Sequence, residues 1–176
     1  MAGEPGSFDQ HVRCILETFG PRGLNLVDSS VDAAGSWLVR FDLSGYRFHL
    51  SVSPEPGRGA VLEMRDVVIV DEQRHPGMTN AVGSIGNAVQ QRIPHLRVLY
   101  AAVGPDSYDR GSDDALPYPH DLLVSLQYGS PVLSGDDERL PAFCELGIDT
   151  LFYACGVIHD GIAELGFPSA GPILLD

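Results

Sequence analysis

The side chains of this chain that could do chemistry are six histidines, three cysteines and an unusually dense set of aspartates. Cys155 and His159 stand four residues apart in a stretch with helical spacing, so they share one helix face. A thiolate and an imidazole so placed could form a two-ligand half-site for a borderline-soft metal. Two further ligands are missing from the pattern, and a core cysteine beside a hydrogen-bonded histidine accounts for the pair without a metal. His49, His75, His95 and His120 stand beside no other His or Cys at ligand spacing on one element. The reading is therefore no metal and no cofactor.

The second concentration of chemistry is acidic. The connection from Gly104 to His120 carries Asp106, Asp109, Asp113 and Asp114, with Asp121 following and only Arg110 opposing them. Structureless connections of this length tend to be functional or disordered. Their carboxylates could meet a basic partner polypeptide, which makes these five aspartates the candidate partner-binding residues. Together with His120 they also define the alternative, a small enzyme or a ligand- or metal-binding domain, although their spacing fits no Ca²⁺ loop. A solvated loop needs neither. Gly135-Asp136-Asp137-Glu138 is a second acidic cluster, and its place before a helix is explained by capping and by the helix dipole.

No catalytic constellation accompanies these groups. Gly83-Ser84-Ile85-Gly86 has the wrong spacing for a nucleophile elbow and lies in a helical stretch. No dinucleotide-binding, P-loop, H-E-x-x-H or EF-hand pattern occurs. All 11 basic residues are arginine, so every mechanism that needs a lysine, whether Schiff base, P-loop or kinase type, is excluded. The all-arginine usage also points to a GC-rich, bacterial coding sequence. No catalytic residue is assigned, and the chain leans away from being an enzyme.

Composition narrows the partners. The chain has 176 residues, 44% of them hydrophobic, and a formal net charge of -13. That length suits one domain with a real core. The acidity disfavours nucleic acid, whose phosphates need cationic neutralisation, and anionic membrane surfaces. It favours a basic protein partner, or serves only solubility. Cys14, Cys144 and Cys155 are odd in number and form no C-x-x-C, which suits a reduced, cytoplasmic setting. The opening MAGEPGSFDQ has no signal-peptide pattern. The longest apolar runs, such as Val98 to Val103, are far shorter than a membrane span.

The elements that must position these groups alternate between helix and strand. Ser7 and Gln10 form a capping box for a first helix bearing Phe8, Val12, Ile15, Leu16 and Phe19, stopped at Gly20-Pro21. Trp37 to Leu43 and Tyr46 to Val52 each alternate apolar and polar, and the two-residue linker Ser44-Gly45 makes them a hairpin. That register sets Leu43 opposite Tyr46, Phe41 opposite Phe48 and Asp42 opposite Arg47. A third strand covers Ala60 to Val70, with Asp66 breaking its apolar face and predicting a bulge near Arg65-Asp66. Leu24 to Val27 is a candidate extra strand.

A middle helix runs from about Met78 to Arg92, with Thr79 as its cap. Its small residues, Gly83 and Gly86, suggest close approach of another backbone. Strands follow at His95 to Val103 and Asp121 to Gln127, then a short helix near 137–146 and a longer one near 149–165. The tail from 166 to 176 is rich in Gly and Pro. Ile148, Cys155 and Ile162, with Leu151, Ile158 and Leu165, form a short heptad seam. Met78, Val82, Ile85 and Val89 form a second. Packing on the sheet explains both seams. A homodimer contact through Met78, Val82, Ile85, Val89, Leu151, Ile158 and Ile162 is the competing reading.

The expected fold is a single α+β domain. It has a mostly antiparallel sheet of about five strands packed by helices, in the order α-β-β-β-α-β-β-α, with the last helix split in two. This order from Ser7 to Leu165, with the acidity, resembles the type III secretion chaperone-like proteins. The resemblance implies a small acidic dimer that binds a partner polypeptide and has no catalytic residues. It rests on topology, so it assigns no binding residue. The functional expectation is a non-catalytic, acidic partner-binding protein: chaperone-like, an accessory subunit of an enzyme complex, or an immunity-type inhibitor.

Overall fold

A computed structural model describes residues 5–55, 57–102, 122–133 and 137–167, with the side chains of 5–9, 11 and 102 outside the description. Along the chain run α1 (Pro5–Phe19), a 3-10 turn (Gly20–Arg22), β1 (Asn25–Val31), β2 (Trp37–Leu43), β3 (Tyr46–Val52), β4 (Ala60–Val68), α2 (Met78–Arg92), β5 (Leu96–Ala102), β6 (Leu122–Ser130) and α3 (Leu140–Glu164). The strands form one sheet in the order β1-β2-β3-β4-β6-β5, and every neighbouring pair is antiparallel. The fold is the expected α+β class, with six strands where about five were expected. The sixth is β1, which extends the Leu24–Val27 candidate. Its pairing with β2 shifts register between Leu26 and Asp28.

The hairpin forms in the register its alternation requires, with Phe41 opposite Phe48, Leu43 opposite Tyr46 and Asp42 opposite Arg47. Ser44 and Gly45 both take positive φ, 55° and 84°, as a two-residue primed turn demands. On the packed face the rings of Phe41 and Phe48 stack 5.2 Å apart. On the other face Arg47 Nε donates to Asp42 Oδ1 at 2.9 Å.

Four sequence expectations about the elements are corrected. No bulge occurs near Asp66, because the β4–β6 register runs unbroken from Ala60 to Val68. Asp66 keeps its place on the packed face and is 2% exposed. Residues 137–165 do not form two helices. Within them Leu140–Glu164 is the single 25-residue α3, held by its packing on β4 and β6, with Gly147 at a close approach to the sheet. A Cβ there would lie 3.0 Å from Leu62 Cδ2 and Tyr128 Cδ1. Finally, α1 begins at Pro5, so Ser7 lies inside it, and Thr79 does not cap α2 through its side chain. The Glu72 carboxylate does that work instead, accepting the Gly77 and Thr79 backbone N–H groups at 2.7 and 2.6 Å.

The core lies between one face of the sheet and the helices. Leu62, Met64, Leu126, Met78, Ile148 and Leu151 are among its fully buried side chains. α3 lies at the centre of this layer, packing on β4 and β6 and flanked by α1 and α2. Joining the two expected helices makes α3 the one described helix long and apolar enough to cross a membrane by length and composition. Its buried residues, from Leu140 to Ile162, instead pack into the core.

Two glycines of α2 give opposite expectations. A Cβ on Gly86 would fall 1.6 Å from Tyr100 Oη, the hydroxyl that donates to the Val82 carbonyl at 3.2 Å, while nothing stands within 4 Å of one on Gly83. The close approach at Gly86 is thus by a tyrosine side chain rather than a backbone. Gly86→Ala should destabilise the protein by about 1–3 kcal/mol through overpacking. Gly83→Ala should stabilise it by up to about 1 kcal/mol through helix propensity. Urea denaturation of the two variants checks the contrast.

Candidate functional site

The site is assembled on the inner face of α3, where the sheet supplies what the helix alone lacks. Asp66 projects from β4 into the helix layer. Its Oδ1 accepts the Val67 backbone N–H at 2.9 Å, which fixes the carboxyl plane. Its Oδ2 lies 2.5 Å from His159 Nε2 and 3.6 Å from the Cys155 sulfur. The same sulfur is 3.6 Å from the Tyr46 hydroxyl, contributed by β3. One S–H can serve only one of those acceptors at a time. The ligand atoms of Asp66, Cys155 and His159 all lie within 4.8 Å of one another. The helix sets Cys155 and His159 on one face, as their spacing predicts, and the sheet brings a third metal-ligating group that the sequence did not connect to them.

The electrostatics separate what this cluster can do from what it cannot. Burial, reinforced by the Asp66 carboxyl, pushes the Cys155 thiol up to about 12. It therefore stays a thiol near neutrality and is no nucleophile in this state. Burial also raises the Tyr46 phenol. The hydrogen bond to Asp66 raises His159 above its ordinary value, outweighing the opposing effect of burial. The arrangement is a clamp between α3 and β4 whose donor set suits a cation.

The outer face of the same helix is different. Glu145, Asp149, Tyr153, Gly156, Asp160 and Glu164 follow one another at three- and four-residue steps and are all exposed. Leu146 and Tyr153 expose 58% and 66% of their surface within this stripe. Arg22 reaches Asp149 at 3.1 Å. Glu145, Asp160 and Glu164 have no ion-pair partner among the described residues. The flanking α2 contains no carboxylate, so the stripe is a local concentration of negative charge.

The sheet face without helices is nearly balanced by contrast. Asp28, Asp42 and Glu63 meet Arg40, Arg47 and Arg65 across and along the strands, and Arg97 lies at the end of the row. Burial works to raise Glu63, yet hydrogen bonds from Arg65 and Gln127 hold it below the usual carboxylate range. A shallow polar groove of about 760 Å³ crosses this face, lined in part by Ser51, Ser53, Gly59, Arg97 and Gln127.

The other residues singled out in the sequence fall as follows. Asp106, Asp109, Asp113, Asp114, His120 and Asp121 lie outside the described residues. Met78, Val82, Val89, Leu151, Ile158 and Ile162 are buried in the core, and Ile85 packs against it. These seven side chains thus face the chain's own sheet and helices. Asp137 accepts the Arg139 backbone N–H at 2.9 Å just before α3. Sequence reasoning missed the role of Asp66. The signal was available as a carboxylate on an otherwise apolar strand face, where a buried charge must find partners.

Comparison of the chain with family models, with curated proteins and with solved structures finds no match.

The Asp66–His159 contact generates a pH expectation. A histidine raised above 6.5 by a folded-state partner adds stability fully present below 6.5. That stability is lost as pH rises through the raised folded-state value. Unfolding free energy measured across that window should fall for the parent chain, and His159→Gln should flatten the slope. Asp66→Asn should cost about 1–3 kcal/mol, with much less further loss when both changes are combined.

Proposed function

We propose that this chain is a non-catalytic binding protein whose α3 exterior receives a basic partner polypeptide. The observation that carries the reading is the stripe from Glu145 to Glu164, with its carboxylates and the two large apolar side chains Leu146 and Tyr153. Solubility alone accounts for exposed carboxylates. An exposed tyrosine and leucine set among them have the composition of an interface: apolar anchors within a charged rim. A partner helix or strand bearing arginines and lysines around an apolar centre is complementary to it. The acidity of the whole chain, at -13, would steer that partner inward before contact. The state of Cys155 supports the non-catalytic side, since the thiol that could be a nucleophile is held protonated.

Affinity capture from the protein's own cells, with the full chain as bait, tests this. Glu145→Arg with Asp160→Arg should slow association and weaken its salt dependence. Tyr153→Ala should cost about tenfold or more in affinity for the captured partner. All three sites are exposed, so circular dichroism should be unchanged. Identical sets of proteins captured by the parent and by the triple variant would sink the reading.

A further inference from the structure

We propose that Asp66, Cys155 and His159 form a zinc site that fastens α3 to β4. This goes beyond the partner-binding reading and does not depend on it.

Sulfur, imidazole nitrogen and carboxylate oxygen are the three side-chain donors zinc accepts, and structural and catalytic zinc sites are built from mixtures of them. Here one of each converges, with all three ligand atoms within 4.8 Å of one another. They come from two elements that the fold independently holds in register. Cys155 and His159 share a helix face, and Asp66 is pinned by the unbroken pairing of β4 with β6.

The orientation of each donor also suits coordination. The Val67 N–H occupies Asp66 Oδ1, leaving Oδ2 turned toward both the sulfur and the imidazole. A hydrogen bond that orients a ligating carboxylate in this way is a regular feature of metal sites. His159 presents Nε2, the nitrogen farther from its backbone. Two ligands of one tetrahedral zinc at about 2.0 Å stand about 3.3 Å apart. The sulfur already lies 3.6 Å from Oδ2, while the His159 ring, at 2.5 Å from that oxygen, must swing away from it by a little under an ångström and toward the sulfur, which lies within 4.8 Å. The His159 side chain retains 17% exposure while Asp66 is nearly sealed, so the histidine edge is the way in for an ion. The fourth position lies beside the Tyr46 hydroxyl, open to that hydroxyl or to water. Coordination requires the thiolate and a bare Nε2, so each zinc bound displaces the Cys155 proton to solvent, and the proton shared between Nε2 and Asp66 moves to Nδ1 or to solvent.

The experiment uses the full chain, stripped of metal, titrated with Zn²⁺ against a chromophoric chelator and separately with Co²⁺ as a spectroscopic probe. The expected result is one metal per chain, a thiolate-to-cobalt charge-transfer band, and a Tm that rises with zinc concentration. Outer-shell partners are worth 10–100-fold in metal affinity, so losing a ligand should cost about 100-fold or more. Cys155→Ser should abolish the cobalt band and weaken zinc to that extent, and His159→Gln should weaken zinc equally. Cys144→Ser, which changes a buried cysteine outside the cluster, should change neither. A cobalt complex of the parent chain without the thiolate band would overturn the proposal without recourse to any variant. Zinc bound by Cys155→Ser at parental affinity would also overturn it, as would a Tm indifferent to zinc.

Discussion

A carboxyl group in the middle of an apolar sheet face is the constraint around which this structure is organised. Moving a polar group into such a setting without partners costs several kcal/mol, and Asp66 is 2% exposed. Its own strand can supply only the Val67 N–H. The remaining oxygen must be satisfied from the helix layer, and α3 does so with His159 and Cys155. The contact is directional where the surrounding packing is not. Gly147, whose Cβ would press on Leu62 and Tyr128, limits where the helix can sit, and the Asp66–His159 pair limits its rotation, because a shift of one residue on the helix turns the imidazole away by about 100°. Polar groups inside a core are in some proteins the part that specifies register, and this pair is placed to act so.

Fixing the rotation of α3 on its inner side also fixes what it shows to solvent. Cys155 and His159 facing β4 means that Glu145, Asp149, Tyr153, Asp160 and Glu164 face out. The same rotation brings Phe152 onto the hairpin, edge-on to Tyr46 and Phe48. It also turns Gly147 toward Leu62 and Tyr128. The candidate binding stripe and the buried cluster are therefore two faces of one placement.

The charge of the chain becomes more specific when placed on the fold. On the helix-free side of the sheet, three carboxylates stand among four guanidiniums, so that face contributes almost nothing to the net -13. Cross-strand partners neutralise one another there, as favourable sheet pairs do. The excess lies elsewhere, and among the described elements α3 carries its most continuous run. A helix exterior imposes no pairing of opposite charges, so acidic residues can accumulate on it at the cost of mutual repulsion.

By itself, the sequence determined the local features. The hairpin register, the span of α2, the stop of α1 at Gly20-Pro21 and the shared helix face of Cys155 and His159 all follow from alternation, turn chemistry and helical period. Those act between residues a few positions apart. The exclusion of lysine-dependent chemistry needs no structure at all. The tertiary structure decided the rest. That Asp66 is a core partner rather than the mark of a bulge depends on residues 89 and 93 positions away, beyond any periodicity in the chain. That α3 is one helix rather than two was decided by its packing on β4 and β6, which outweighs the local weakness at Gly147. That Met78, Val82, Val89, Ile148, Leu151, Ile158 and Ile162 are buried within the chain's own core rests on the same long-range packing, since a heptad pattern looks alike whether the surface opposite it belongs to a sheet or to a second copy.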